Sequence, residues 1–339
     1  MTAMSGPAGS AGPAGPESGN ESGRGSGPGS GPGSPMSDAD ATVFERERAR
    51  LTGLAYRLLG SGSDAEDVVQ DAWLRWQHAD RATIDSPPAW LTTVVSRLGI
   101  DRLRVRRREQ ERYVGPWLPE PLVGPLLADG TDPASSSDPA EVAALSDSLT
   151  TAFLLMLEEL TPTERLTVLL ADVFDEPFAS VAEILDKSES AVRQQAVRAR
   201  RKLRAAAPSG RPPADADQLR IAEAFLTATA LGDLDTVMSL LAPDVVLLSD
   251  GGPDHRAARR PVVGPHRVAR LILNLAGRIT DDATLTFESI NGAPGVVVRR
   301  DGRVMFVVAV DIVGGLVHGI TSVVNPDKLA TIDQPHVIT

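Results

Sequence analysis

Residues 178–204 read FASVAEILDKSESAVRQQAVRARRKLR, and this pattern sets the reading of the whole chain. Val181, Ile184 and Leu185 supply the apolar side of a short helix, Asp186-Lys187 makes a turn, and Ser188 suits the cap of the next helix. In that second helix Val192, Ala196, Ala199 and Leu203 recur at i, i+4, i+7 and i+11, one continuous stripe for burial. The opposite face presents Ser190, Arg193, Gln194, Arg198 and Arg201. This is the pattern of a helix-turn-helix whose second helix enters a major groove, its first turns on base edges and its arginine-rich end on phosphates. Asp186 takes the turn position that often holds glycine, and Asp tolerates left-handed backbone better than most residues.

Upstream, residues 38–112 read as a second helical module. Phe44, Leu51, Leu54, Ala55, Leu58 and Leu59 follow helical spacing. Gly60-Ser61-Gly62 breaks the chain, and Ser63 is expected to cap a helix through Val68, Val69, Ala72, Trp73 and Trp76. Asp64, Asp67 and Asp71 fall at i, i+3 and i+7, an acidic stripe suited to an arginine-bearing partner, although acids at a helix amino terminus also answer its dipole. After a loop at 80–89 a long helix is expected from Trp90, with Leu91, Val94, Val95, Leu98 and Leu103 inward and arginines at its far end.

The charge is segregated. The chain of 339 residues carries −11 overall, yet residues 97–112 hold seven arginines against three acids, and residues 187–204 hold seven basic residues against Glu189. Two basic segments in an acidic protein are the footprint of local phosphate contacts, and the free chain is expected to bind duplex DNA poorly. There is no cysteine, which excludes disulfides and thiolate metal sites and suits a reducing, cytoplasmic setting. No apolar run reaches the length of a membrane span, so no membrane association is expected. An aromatic content of 4% leaves little for base-stacking strands of an RNA binder.

The rest sorts by texture. Residues 1–37 are Gly, Pro, Ser and Ala with no apolar period and read as a disordered tail. Residues 113–148 are a Pro-rich linker, but Trp117-Leu118-Pro119-Glu120-Pro121-Leu122 is too apolar for a mere spacer and is expected to dock. Residues 149–207 form the helix-turn-helix module, 208–216 a short linker, and 330–339 a tail. Residues 217–329 change character: two helices (217–231, 233–241), a strand at 245–249 and a helix near 265–277. Val- and Thr-rich runs follow, separated by the turn pairs Asn291-Gly292, Asp301-Gly302 and Gly314-Gly315. The fold class is multidomain: two all-α modules, then an α+β domain with an antiparallel sheet and helices on one face.

Several segments carry a resemblance. Leu160-Thr161-Pro162-Thr163-Glu164-Arg165, residues 178–185 and residues 191–203 resemble region 4 of RNA polymerase sigma factors. This implies that Ser190, Arg193, Gln194, Arg198 and Arg201 read a −35 element. Asp64-Ala65-Glu66-Asp67-Val68-Val69-Gln70-Asp71-Ala72-Trp73 resembles the region 2 helix that binds the clamp helices of polymerase, implying Asp64, Glu66, Asp67, Gln70 and Asp71 for that contact. Residues 88–104 are similar to the segment that opens and reads the −10 element, implying Trp90, Arg97, Arg102 and Arg104, with Trp90 either a stacking platform or core.

Residues 217–329 resemble the SnoaL-like cone. Trp117–Leu122, Asp250-Gly251-Gly252 and Asn325-Pro326-Asp327-Lys328-Leu329 match the extracytoplasmic-function sigma subgroup carrying that extension. The Asp250-Gly251-Gly252 motif departs from the pattern, since Pro253-Asp254 stands where a basic residue is expected soon after the glycines. The resemblance implies a sigma factor whose partners are core RNA polymerase (β′ clamp helices, β flap) and promoter DNA. It adds a regulatory contact among Trp117, Leu118, Pro119, Asp250, Gly251, Gly252, Asn325, Pro326, Asp327, Lys328 and Leu329, and an unidentified small ligand for the cone. No cofactor, metal or catalytic residue is called for: Asp250, His255, His266, Asp311 and His318 are scattered, without metal-ligand spacing or a nucleophile beside a base. The competing reading is a SnoaL-type isomerase or hydrolase fused to a helix-turn-helix regulator, which would not need the acidic stripe or the Pro-rich linker.

Overall fold

The computed structural model describes residues 38–124, 150–206, 215–253 and 255–332. The amino-terminal tail, residues 125–149 of the linker, residues 207–214 and residues 333–339 lie outside the described residues.

The first module packs α1 (Asp38–Leu59), α2 (Gly62–His78) and α3 (Pro87–Gln110) around Phe44, Leu51, Leu58, Val69, Trp76, Leu91 and Leu103. Two boundaries differ from the sequence expectation. Ser61, not Ser63, caps α2, its hydroxyl accepting from Asp64 N, because Ser61 has the extended backbone a cap requires. The long helix begins at Pro87 rather than Trp90, since proline has its φ already set and no N–H to satisfy in the first turn.

The second module holds α4 (Thr151–Glu158), α5 (Pro162–Val168) with a π-helical turn at Leu169–Val173, α6 (Phe178–Leu185) and α7 (Glu189–Ala206). Thr161 and Glu164 close a reciprocal capping box at the start of α5. Sequence reasoning treats the two modules as separate bundles, but they share one core, in which Leu154, Leu160, Leu166, Leu169 and Val181 join the residues of α1 to α3. Arg165 is wholly buried between the modules, donating to the Arg57 carbonyl at 3.0 Å and pairing with Glu158 at 2.8 Å. The periodicity of each helix gives its buried face, not the identity of the neighbour that covers it.

The carboxy-terminal domain is a seven-stranded sheet in the order β1-β4-β5-β6-β7-β2-β3. Its strands are β1 (Val123–Gly124), β2 (Leu241–Asp250), β3 (Val262–Val263), β4 (Ala283–Ile290), β5 (Ala293–Arg300), β6 (Arg303–Val313) and β7 (Leu316–Val323). The sheet is mixed rather than antiparallel throughout, because β7 returns beside β2 in the same direction after a helix and the β4–β6 meander. Asn291-Gly292 and Asp301-Gly302 adopt the paired positive φ that makes the tight meander turns. β1 belongs to the linker and extends the β4 edge, which no sequence pattern announced.

Helices α8 (Asp215–Leu231), α9 (Leu234–Leu240) and α10 (Pro265–Ala276) cover one sheet face, with Phe225, Val237 and Val268 against Val245, Leu247, Val310 and Val317. The other face is covered too, by the linker and α4: Leu118, Leu155 and Leu329 of α11 (Pro326–Leu329) lie against Val297, Val307, Ala309 and Val323. Full burial of a leucine such as Leu118 contributes about 1.5–3 kcal/mol, so this seam is a packed contact and not a tether.

Candidate functional site

The recognition helix is held from behind by a buried amide. Gln195 donates to the Thr163 carbonyl at 2.8 Å and to Thr167 Oγ1 at 2.7 Å, and accepts from Lys187 Nζ at 2.6 Å. Asp186 stands in the left-handed region at φ 54, and Ser188 accepts from Ala191 N at 3.3 Å, so turn and cap are built as the sequence suggested. Ser190, Arg193, Gln194, Arg198 and Arg201 are all exposed on the outer face. Arg193 is tied to Glu189 at 3.0 Å and lies over the Phe178 ring. Two further cations of the helix pair with acids of the same module, Arg200 with Asp172 and Lys202 with Glu164. Burial opposes ionisation of Glu164, but Lys202 and Thr161 outweigh it and hold the carboxyl below its usual range.

On the first module, Glu66, Asp67, Gln70 and Asp71 line the exposed side of α2. Asp64 is engaged by Arg102, whose Nε lies 2.8 Å from its carboxylate, and this bond raises the guanidinium's proton affinity further. Arg104 pairs with Asp101 at 2.9 Å, and Arg97 donates to the Glu183 and Ile184 carbonyls at the end of α6. Trp90 is half-buried, its ring 5.5 Å from that of Trp76 at the edge of the core. The cations assigned to a −10 element are therefore occupied within the chain, one by an acid assigned to polymerase and one by the helix-turn-helix module.

The densest polar network lies where linker, first module and sheet meet. Asp250, 1% exposed at the end of β2, accepts from Leu118 N at 2.9 Å, Gly252 N at 3.1 Å, the Tyr113 hydroxyl, and Lys328 Nζ at 2.7 Å. Lys328 also donates to the Leu118 carbonyl and lies 3.7 Å from the centre of the Trp117 ring, whose environment includes Arg106 at 4.8 Å. Burial lowers the Lys328 pKa to about 8 despite the attraction of Asp250. Asn325 caps α11 and donates to the Tyr113 oxygen at 2.9 Å. The glycines of the Asp250 motif answer this crowding, since a Cβ at Gly251 would stand 2.7 Å from the His255 carbonyl and one at Gly252 would stand 2.9 Å from Asn325 Cγ.

Sequence reasoning missed the roles of four members of this junction, one of which, Glu120, lies within the hexapeptide expected to dock. Glu120 accepts from Gly62 N at 2.8 Å, Ser63 N at 3.2 Å and Ser61 Oγ at 2.7 Å, so a linker carboxylate sits on the amino terminus of α2. The Tyr56 hydroxyl is shared between the Glu120 carbonyl at 2.7 Å and Asn291 Oδ1 at 3.1 Å. Asn291 in turn accepts from Leu122 N at 2.7 Å and donates to Thr151 of α4 at 3.1 Å, joining linker, both helical modules and the sheet. Tyr113 is the fourth. The chain has only two tyrosines and both are here, a signal that composition alone could have raised. Burial pushes both phenols well above their usual range.

The remaining candidates do not converge. His318 faces Asp244 at 3.1 Å, His255 and His266 are exposed, and Asp311 is half-buried with its carboxyl pushed up to about 6 by burial. Among the described residues no group of His, Asp and Glu is placed to hold a metal ion, and no helix is long and apolar enough to cross a membrane.

Comparison with known proteins places these features. Residues 43–109 match the Sigma-70 region 2 family and residues 150–203 match Sigma-70, region 4. The ECF RNA polymerase sigma factor SigJ of Mycobacterium tuberculosis is 41% identical over 304 residues, covering 85% of this chain and 93% of its own. The probable ECF RNA polymerase sigma factor SigI of the same species is 33% identical over 297 residues, covering 86% of this chain and 95% of its own. The crystal structure of M. tuberculosis SigJ superposes with a TM-score of 0.66 at 37% identity, over 87% of this chain and 99% of that one.

Proposed function

The chain belongs to the extracytoplasmic-function RNA polymerase sigma factors and serves transcription initiation, and from that premise we propose that its carboxy-terminal domain sets its activity in cis by clasping the two helical modules in a closed arrangement. The Asp250-centred junction carries this reading, because it joins the SnoaL-like domain to the linker by buried, charge-assisted bonds rather than by surface contacts. In the closed arrangement Arg97 and Arg102 are engaged inside the chain. Opening frees Arg97 for the −10 strand, with Arg104 and Trp90 beside it, whereas Arg102 reaches the strand by exchanging Asp64, its partner within the first module, for phosphate. Asp64, released by that exchange, joins Glu66, Asp67, Gln70 and Asp71 against the polymerase clamp helices, while the β flap holds the second module. Ser190, Gln194, Arg193, Arg198 and Arg201 then meet the −35 element, their bidentate side chains reading bases and the rest positioning on phosphate.

The protein acts in this reading as a cytoplasmic regulator and not as a catalyst. A population held closed reaches promoters only as far as polymerase binding outcompetes the junction, so a modest change in junction stability shifts output severalfold. A small ligand of the carboxy-terminal domain is a natural second input. Run-off transcription with purified core polymerase tests the proposal: Trp117→Ala and a chain ending at residue 324 should both raise output at equal protein concentration. Unchanged output from both would remove the regulatory role of the junction while leaving the family assignment intact.

A further inference from the structure

The sheet face that receives the linker carries two carboxylates in opposite circumstances. Across β6, β7 and β2 the register aligns Val307–Val323–Asp250, Ala309–Thr321–Leu248 and Asp311–Gly319–Val246 on this face. Asp250 is surrounded by donors, whereas Asp311, two rungs away, has no hydrogen bond or ion pair with any described residue. Its carboxylate leans over Gly319, where a Cβ would stand 2.6 Å from Oδ2, so the glycine opposite it keeps its place clear.

Above Asp311 lies a cavity of about 270 Å³ with walls from two domains. Leu155 and Met156 of α4 and Ala206 at the end of the recognition helix form one side, and Val246, Leu248 and Thr321 of the sheet form the other. Glu159 adds a second, exposed carboxylate at the rim. Burial raises the pKa of Asp311 to about 6, so at neutral pH it remains mostly an anion. An anion without a partner among apolar walls is unfavourable until a cation meets it.

We propose that this cavity binds a small organic cation, an ammonium or guanidinium head on an apolar body, with its head on Asp311 and its body between α4 and the sheet. Such a ligand touches both walls only while the helix-turn-helix module rests on the sheet. It therefore binds the closed arrangement preferentially and lowers transcription. This consequence rests on the closed arrangement proposed above; the site itself does not. The 125–149 segment that leads into α4 contains no Lys or Arg to act as an internal substitute, whereas Arg211 lies five residues beyond Ala206.

Saturation-transfer NMR on the full chain at pH 7.5 tests the site, with 2-phenylethylammonium as probe and 2-phenylethanol as its uncharged counterpart. The amine should bind at least tenfold more tightly than the alcohol. Asp311→Asn, which keeps shape and removes charge, should bring the amine down to the alcohol's level, and Leu155→Trp, which fills the cavity, should abolish both signals. Equal binding of amine and alcohol, full binding by Asp311→Asn, or binding that emerges only in Arg211→Ala would each overturn the proposal. Run-off transcription separates the two readings. Amine should repress the wild type and not Asp311→Asn; binding without repression would keep the site and refute the closed arrangement as its readout.

Discussion

Replacing Asp250 with alanine should loosen the junction far more than replacing its partner Lys328. In the wild type the carboxylate is the common acceptor for Leu118 N, Gly252 N, the Tyr113 hydroxyl and Lys328 Nζ, and the side chains of Asp250 and Lys328 are 0% and 5% exposed. Asp250→Ala leaves a buried ammonium without its counter-ion and an amide without its acceptor. Breaking a buried pair from one side costs about 3–5 kcal/mol. Lys328→Met, by contrast, leaves the carboxylate with its three remaining donors and fills the space with an apolar chain of similar length, so the cost should stay near about 1–2 kcal/mol. The double variant should recover part of the loss of Asp250→Ala, because no charge is then stranded. Hydrogen exchange of the peptide spanning 113–122 reads these differences directly. Opening of the linker should rise by roughly two to nearly four orders of magnitude in Asp250→Ala and by about tenfold in Lys328→Met, each 1.4 kcal/mol being a factor of ten. Equal effects of the two single variants, or unchanged exchange in Asp250→Ala, would refute the view that the carboxylate organises the junction.

Four other outcomes are expected. Glu120→Ala should destabilise the first turn of α2 by about 1–2 kcal/mol, seen as faster exchange of the Gly62 and Ser63 amides, since the carboxylate acts as a cap supplied from the linker. The wild type should gain about 2 kcal/mol of stability relative to Lys328→Met between pH 8 and 9.5 in urea titrations. The sign follows because the folded Lys328 releases its proton near 8 while the unfolded chain holds it to 10.5, so the unfolded state binds more protons in that window. Gln194→Ala should weaken promoter binding by the holoenzyme about 5- to 150-fold, with the melting temperature unchanged, if it reads a base edge. Asp186→Gly should stabilise the helix-turn-helix module by about 0.5–1 kcal/mol by relieving the left-handed backbone, measurable as a raised denaturation midpoint.

What the sequence revealed and what it withheld follow one physical division. The stripe Val192, Ala196, Ala199, the Asp186 turn with its Ser188 cap and the Asn291-Gly292 turn are local, set by periodicity and by φ, and they stand in the structure as read. Trp117 stood out as an apolar linker residue, and only the family resemblance set it beside Lys328 in one contact. Their meeting over one ring was a matter of tertiary placement. The bond between Tyr56 and Asn291 joins residues 235 positions apart, and no spacing rule reaches across that distance. The parallel pairing of β2 with β7 and the extra strand from the linker were hidden for the same reason: a strand's alternation fixes its faces but not its neighbours.

The core shared by the two helical modules has a consequence of its own. Leu160 and Leu166 are sealed against the residues around Leu58 and Leu103, and Arg165 is sealed with them. Detaching the carboxy-terminal domain therefore does not by itself spread the modules apart, for an oily seam with a guanidinium locked inside it remains shut in water. In the regulatory reading proposed above, prying it open falls to polymerase, which would have to offer greasy surface of its own in exchange, so that the factor would carry two locks in series.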